Sequence, residues 1–380
     1  MRIAYLHSGS IPSVYANGVH VMRMCDAFTD AGHEVVLHAL AGTAPAEDLH
    51  AYYGTRNRFE VRTLPQLGPP EAGLWDRALR VRAELCRRGV PDLLYGRDRY
   101  ALLACSDLAP LVYETHLLWD EPSIQGVERQ LLRRPNLRRV VFVSQALADD
   151  YRAAVPELAA LPDAELVTAH DCADPVAADG PVAQLPGREQ AVRIGYVGHL
   201  YPGRGTDVIL ALADRLPEAE FHLVGGTASD RAHWQALARQ PNVHFHGHLP
   251  PAELAPYYRA FDIVLAPYQR RAYCAGGVGE ISRWVSPMKL FEYMSYGKAV
   301  IASDLPVLRE VLQDGVNCLL CPPDSVDGWA QAVKRLAGDP ALRGALGERA
   351  GRQLAERHTW RARADLVLPG PLAAAGPGRR

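Results

Sequence analysis

The sequence predicts an α/β chain of two doubly wound lobes, each a parallel sheet covered by helices, facing a central cleft. Three observations carry this. The first forty residues read as strand, helix, strand. Residues 171–190, poor in large apolar side chains and rich in Ala, Gly, Pro and Gln, interrupt the pattern. The alternation then restarts at Arg193. Such alternation builds parallel sheets with helices on both faces. A length of 380 residues, 48% of them hydrophobic, suits two cores better than one.

Taken in order, Ile3–Leu6 is a short apolar run and reads as a buried strand, followed by a Gly/Ser/Pro/Asn loop from His7 to Gly18. Val19–Ala31 carries apolar residues at helical spacing, Gly32 stops it, and Val35–Leu37 is the second strand. Further strands fall at Glu60–Thr63, Leu93–Tyr95, Leu111–Tyr113 and Val140–Val143, with helices around 72–89, 122–134 and 145–154. The second lobe shows strands at 193–198, Glu220–Val224, Val243–Phe245, Ile263–Leu265 and Ala299–Ile301, a helix at 206–215 and a helical stretch over 330–365. The expected domains are 1–170, a linker at 171–190, and 191–360, with a helix in 361–380 returning to the first lobe. The Pro/Gly/Ala-rich end from Pro369 is expected to fray.

Composition excludes several classes. A formal net charge of −2 argues against general nucleic-acid binding. Seven scattered cysteines fit a reducing compartment better than a disulfide framework. The pair Cys318 and Cys321 has no second pair to complete a metal site. No leader and no apolar run of spanning length is seen, so a cytoplasmic protein is expected.

Three segments could carry chemistry. The loop ending at Asn17-Gly18 brings flexible backbone to a helix N-terminus, where free N–H groups suit a phosphate and Gly18 would allow close approach. The loop from Gly198 to Gly205 repeats the device, and Arg204 could grip two phosphate oxygens. In Ser286-Pro287-Met288-Lys289-Leu290-Phe291-Glu292, Ser-Pro reads as a helix start. Lys289 and Glu292 then share one face: a cation for a diphosphate and a carboxylate for a ribose diol.

These motifs resemble the family 4 glycosyltransferases of GT-B fold, which have two Rossmann-like lobes. The likeness is specific in residues 190–320, from Ile194–Gly205 through Asp262–Pro267 to Glu310…Asp314-Gly315, and diffuse before that. It implies a retaining transferase that needs no metal or cofactor and uses a nucleotide diphosphate sugar as donor, a UDP-sugar before GDP-mannose. His116 matches the family histidine that contacts the donor sugar, Arg204 its phosphate lysine and Glu292 its ribose glutamate. Catalytic roles are therefore expected for His116, Lys289 and Arg204. Donor binding is expected for Gly18, His199, Ser286, Pro287, Met288, Leu290 and Glu292, and acceptor contacts for Tyr15 and Asn17. The acceptor would be a sugar, a glycolipid or a small molecule.

Two departures stand out. His199 replaces the family's phosphate arginine, and Trp284 replaces its first glutamate, for which Glu280 could substitute. His244, His246 and His248 alternate along a strand with no nearby carboxylate in sequence, which argues against a metal. Two arginine clusters in the first lobe, residues 77–88 and 129–139, read as solvated helix faces or as contacts to an anionic membrane. The competing functions are a nucleotide-sugar enzyme without an acceptor, such as a GT-B epimerase, and an inactive sugar-nucleotide-binding protein. A dinucleotide oxidoreductase lacks a Gly-x-Gly-x-x-Gly after the first strand.

Overall fold

The computed structural model describes residues 1–44, 46–66, 73–273 and 280–370. Cys274 and the final ten residues lie outside that range. The chain forms two parallel sheets.

The first sheet has strands β1 (Arg2–Ile11), β2 (Glu34–Ala41), β3 (Glu60–Leu64), β4 (Leu93–Gly96), β5 (Leu111–Thr115), β6 (Leu137–Phe142) and β7 (Leu166–Thr168) in the order 3-2-1-4-5-6-7. Helices α1 (Ala16–Asp30) to α6 (Gln145–Ala154) cover it: α2 (Leu49–Tyr53), α3 (Leu74–Arg88), α4 (Arg99–Ala104) and α5 (Pro122–Leu132) lie between. The second sheet has β8 (Arg193–Val197), β9 (Glu220–Val224), β10 (Val243–Gly247), β11 (Ile263–Ala266), β12 (Ala299–Ser303) and β13 (Leu319–Cys321), ordered 10-9-8-11-12-13. Around it lie α7 (Thr206–Arg215), α8 (Ala228–Leu237), α9 (Ala255–Ala260), α10 (Met288–Ser295), α11 (Val326–Gly338) and α12 (Pro340–Arg357). Strand order reverses direction between β1 and β4 and again between β8 and β11, and crevices for ligands open at such points.

The apolar runs of β4, β5, β9, β11 and β12 are fully buried, as their near-continuous hydrophobicity requires, whereas the edge strands β3, β7 and β10 are only half-buried. Two differences from the sequence reading affect the cleft. The segment read as a loop from His7 is strand as far as Ile11, with a register shift between Leu6 and Ser10. The helical stretch at the end is three helices, because Asp339 caps α12 and Thr359 caps a last helix, α13 (Trp360–Val367). Trp360, Ala364 and Val367 of α13 join the first-lobe core beside Met24 and Phe28 of α1.

The arginine clusters are partly spent inside the protein. Arg77 is buried 2.6 Å from Asp98, and Arg139 donates to the carbonyls of Leu366 (2.8 Å) and Leu368 (2.6 Å). No helix among the described residues is long and apolar enough to cross a membrane. Cys318 and Cys321 are buried free thiols.

Candidate active site between the lobes

A cavity of about 640 Å³ lies between the lobes and takes its walls from both. On the second-lobe side, β8 ends and Gly198 turns with φ +141°, a conformation that favours glycine. A Cβ at Gly198 would lie 2.7 Å from Lys289 Nζ, so the bare backbone is what lets this lysine in. Lys289 stands in the first turn of α10, with Nζ 3.7 Å from the Tyr196 ring centroid. Burial, then the charge of Arg204, pushes its pKa well below the ordinary lysine value.

Glu292 faces the same cavity one turn later. Its Oε2 accepts from the Tyr258 hydroxyl at 2.6 Å, and burial raises its pKa. Lys289 and Glu292 share a face as expected but make no ion pair with each other, and each instead meets a tyrosine. Arg204 lies over Tyr268, 5.1 Å from the ring centroid, and donates through Nη2 to the Tyr273 carbonyl at 3.0 Å.

The first-lobe wall is a buried network around Glu114 at the end of β5. His116 Nε2–H donates to Glu114 Oε1 at 2.6 Å. His20 Nε2 lies 2.8 Å from the same oxygen, and its Nδ1 meets Asp171 Oδ1 at 2.7 Å. Arg363, from α13, closes on Glu114 with Nη2 3.1 Å from Oε1 and Nη1 3.2 Å from Oε2. Tyr95 donates to Oε2 as well. Burial opposes the charge of Glu114, but Arg363 and His20 outweigh it and hold the carboxyl well below its ordinary pKa. Burial, reinforced by Arg97, lowers His116 to about 3. His116 is therefore neutral, with its Nε2 proton directed at Glu114. Its Nδ1 has no partner among the described residues.

Several contacts hold the lobes together across the cleft. Asp171 N–H donates to Ser286 Oγ at 2.8 Å. His199 Nε2 lies 3.0 Å from the Val14 carbonyl, and Trp284 Nε1–H donates to Asp150 at 2.6 Å. Glu310 accepts from the N–H groups of Gln145 and Ala146 at 2.7 and 2.9 Å, at the start of α6.

His116, Lys289, Arg204, His199, Ser286, Pro287, Met288, Glu292, Tyr15 and Asn17 all line the cavity. Gly18 and Leu290 do not. Gly18 lies inside α1, its N–H bonded to the Tyr15 carbonyl at 3.1 Å. Its missing side chain makes room for Tyr53 and Ile11, so it serves packing and offers no free N–H to a phosphate. Leu290 is 1% exposed and belongs to the second-lobe core. Glu280 is exposed, outside the cavity lining, and accepts from Ser282, so it does not replace the missing glutamate. His244 does have a carboxylate, Glu220, at 2.8 Å, while His222 meets His246 at 3.2 Å. Strand pairing put these together.

Sequence reasoning missed His20, Glu114, Asp171 and Arg363. Glu114 was visible two positions before His116, but Asp171 lay in a segment read as linker and Arg363 in a terminal helix. His20, Glu114 and His116 bring three ligand atoms within 4.8 Å of one another, a spacing that could hold an ion. A cation there would face the buried guanidinium of Arg363.

Two family models match. Residues 18–161 fit the model described as Glycosyltransferase Family 4, and residues 191–339 fit Glycosyl transferases group 1, one on each lobe. The chain is 33% identical over 163 residues to a phosphatidyl-myo-inositol mannosyltransferase of Mycolicibacterium smegmatis, covering 42% of this chain and 39% of that one. It is 27% identical over 197 residues to a D-inositol 3-phosphate glycosyltransferase of Kribbella flavida, covering 48% and 43%. The matches thus span under half the length of these relatives. Among solved structures, Anabaena Alr3699/HepE in complex with UDP and glucose superposes with a TM-score of 0.71 at 17% identity, over 96% of this chain and 97% of that one. Sucrose-phosphate synthase from Thermosynechococcus elongatus gives 0.70 at 20%, over 96% of each. Two matched lobes, a GT-B architecture and a cleft built at both crossover points lead to one conclusion: the chain belongs to the family 4 glycosyltransferases.

Proposed function

We propose that this glycosyltransferase is retaining and metal-independent, and moves a hexose-type sugar from a nucleotide diphosphate to a hydroxyl acceptor. The observation that carries the reading is the pairing of Lys289 and Glu292 on one face of α10, both opening into the cleft. Burial disfavours the charged form of Lys289, and a diphosphate beside it favours that form again. Glu292, already accepting one hydroxyl, is suited to a ribose diol. Lys289, Arg204 and the N-terminus of α10 stabilise the departing diphosphate where its charge develops.

Retention without a covalent intermediate is favoured by how the cleft carboxylates are used. Glu114 is committed to Arg363, His20 and His116, and Asp171 to His20. Neither is available as a nucleophile, so the leaving phosphate would take the acceptor proton on the same face of the sugar. The same guanidinium on Glu114 favours the metal-free reading. A UDP-sugar is preferred as donor because fold relatives are recorded with UDP and UDP-glucose. The mannosyltransferases among the relatives keep GDP-mannose next. The glycan, glycolipid or small-molecule nature of the acceptor, and any peripheral contact with a membrane, belong to the same proposal.

Calorimetric titration with UDP, GDP, ADP and NAD, each with and without EDTA, tests it. One nucleoside diphosphate should bind, survive chelation and be weakened in Glu292→Ala. Binding of NAD alone, or of no nucleotide, refutes the donor reading, and loss of binding in EDTA refutes the metal-free one.

A further inference from the structure

We infer that the first lobe carries a subsite for an oxyanion, a phosphate or carboxylate on the acceptor, formed by Arg97, His7 and Asn17. The word acceptor rests on the transferase reading above, but the oxyanion site stands on its own geometry.

The last paired rung of β1 and β4 is Leu6 with Gly96. His7 and Arg97 are the next residues on the two strands, at the reversal in strand order where a crevice must open. Both line the cavity. His7 is 4% exposed, and neither of its ring nitrogens has a hydrogen-bond partner. Buried polar atoms are rarely left so, and one that faces a cavity is the mark of an absent ligand group or water. Gly9 is what admits the ring. A Cβ there would lie 2.5 Å from His7 Nε2 and 3.2 Å from Asn17 Nδ2, which places the Asn17 amide beside the histidine. Arg97 is half-buried and, among the described residues, has no carboxylate within 4.0 Å and no side-chain hydrogen bond. Its charge acts on both His7 and His116.

The acids near this point are already engaged. Asp98, beside Arg97, holds Arg77 at 2.6 Å. Glu114 and Asp171 are held by His20, His116 and Arg363. What remains is a guanidinium with no carboxylate of its own among the described residues, and beside it a neutral imidazole and an amide that can each turn a donor toward the cavity. That set matches an oxyanion and, for a neutral hydroxyl, would leave the arginine uncompensated. All three residues come from the first lobe, whereas Lys289, Arg204 and Glu292 come from the second. The site is thus distinct in its residues from the diphosphate site.

The test titrates inorganic phosphate into the full chain, with and without saturating UDP, and repeats it in Arg97→Met, Arg97→Lys and Lys289→Ala. Phosphate should bind saturably in the presence of UDP. Arg97→Met should weaken it about tenfold or more, the loss of one charge-assisted contact, and Arg97→Lys less. UDP affinity should be retained in Arg97→Met, which also shows that the variant folds. Lys289→Ala should do the reverse, weakening UDP and keeping phosphate. Phosphate binding abolished by UDP, or unchanged in Arg97→Met, overturns the subsite. Arg97-dependent phosphate binding in a protein that binds no nucleotide supports the subsite and rejects the donor reading instead. UDP-glucuronate and UDP-glucose separate the sources. If only the former blocks phosphate, the oxyanion belongs to the transferred sugar and the assignment to the acceptor falls.

Discussion

Lys289 sits in the cleft among aromatic rings and beside Arg204, so its proton is held weakly. A diphosphate supplies negative charge beside it, so binding should raise its pKa, with proton uptake at alkaline pH. Calorimetry of UDP in buffers of different ionisation enthalpy should show this uptake, and Lys289→Ala should abolish it while lowering kcat by roughly 10²–10³-fold, the usual cost of one electrostatic stabiliser. Glu292→Ala removes a charge-assisted acceptor, so UDP affinity should fall by roughly tenfold to a hundredfold. Equal UDP affinity in Glu292→Ala and the parent would remove Glu292 from the ribose site. These two residues were legible in the sequence because one helical turn puts positions three apart on a common face. The Glu114 network was not, since its members come from β5, α1, the interlobe segment and α13.

At the scale of elements, α13 is the least expected contributor. It packs on α1 and delivers Arg363 to Glu114, so the end of the chain fixes the carboxylate that orients His116. Removing one partner of a buried pair leaves the other charge unmet. Arg363→Met should destabilise by about 3–5 kcal/mol, measured by urea unfolding, and Arg363→Met with Glu114→Gln should recover part of that loss. No recovery in the double variant would mean that the two groups do not act as a pair. A second dependence lies where α12 crosses the turn after α10. A Cβ at Gly347 would fall 1.9 Å from the Gly297 carbonyl oxygen. Gly347→Ala should therefore shift α10, and with it Lys289, costing about 1–3 kcal/mol and lowering the thermal midpoint.

Over the whole molecule, buried neutral histidines set the acid limit of stability. Burial lowers His7, His116 and His222 to about 3 and His246 to about 4. In the unfolded chain these rings titrate near 6.5. Below that pH the unfolded state binds more protons, so stability falls as pH drops from about 6.5 toward about 3 and is fully present above about 6.5. Thermal midpoints at pH 7, 6 and 5 should decline steadily, and His222→Phe should flatten the slope by removing one such ring. A flat profile in the parent would show that these rings are not buried as neutral groups.

The sequence by itself determined the two-lobed parallel architecture, because continuous apolar runs of strand length must be buried on both faces, and alternation with helices leaves only parallel sheets. It also determined the second-lobe side of the cleft. There the loop of Gly198 to Gly205 and the first turn of α10 are each local, so spacing along the chain translates directly into spacing in space. Tertiary structure alone decided the rest. Gly18 turned inward because Tyr53 packs where its side chain would be, and Leu290 faced the core because α10 must bury one side. His20, Asp171 and Arg363 met at Glu114, and His7 came beside Arg97, through strand order and a returning helix. Contacts between residues far apart in sequence depend on which strands become neighbours, and no local period encodes that choice.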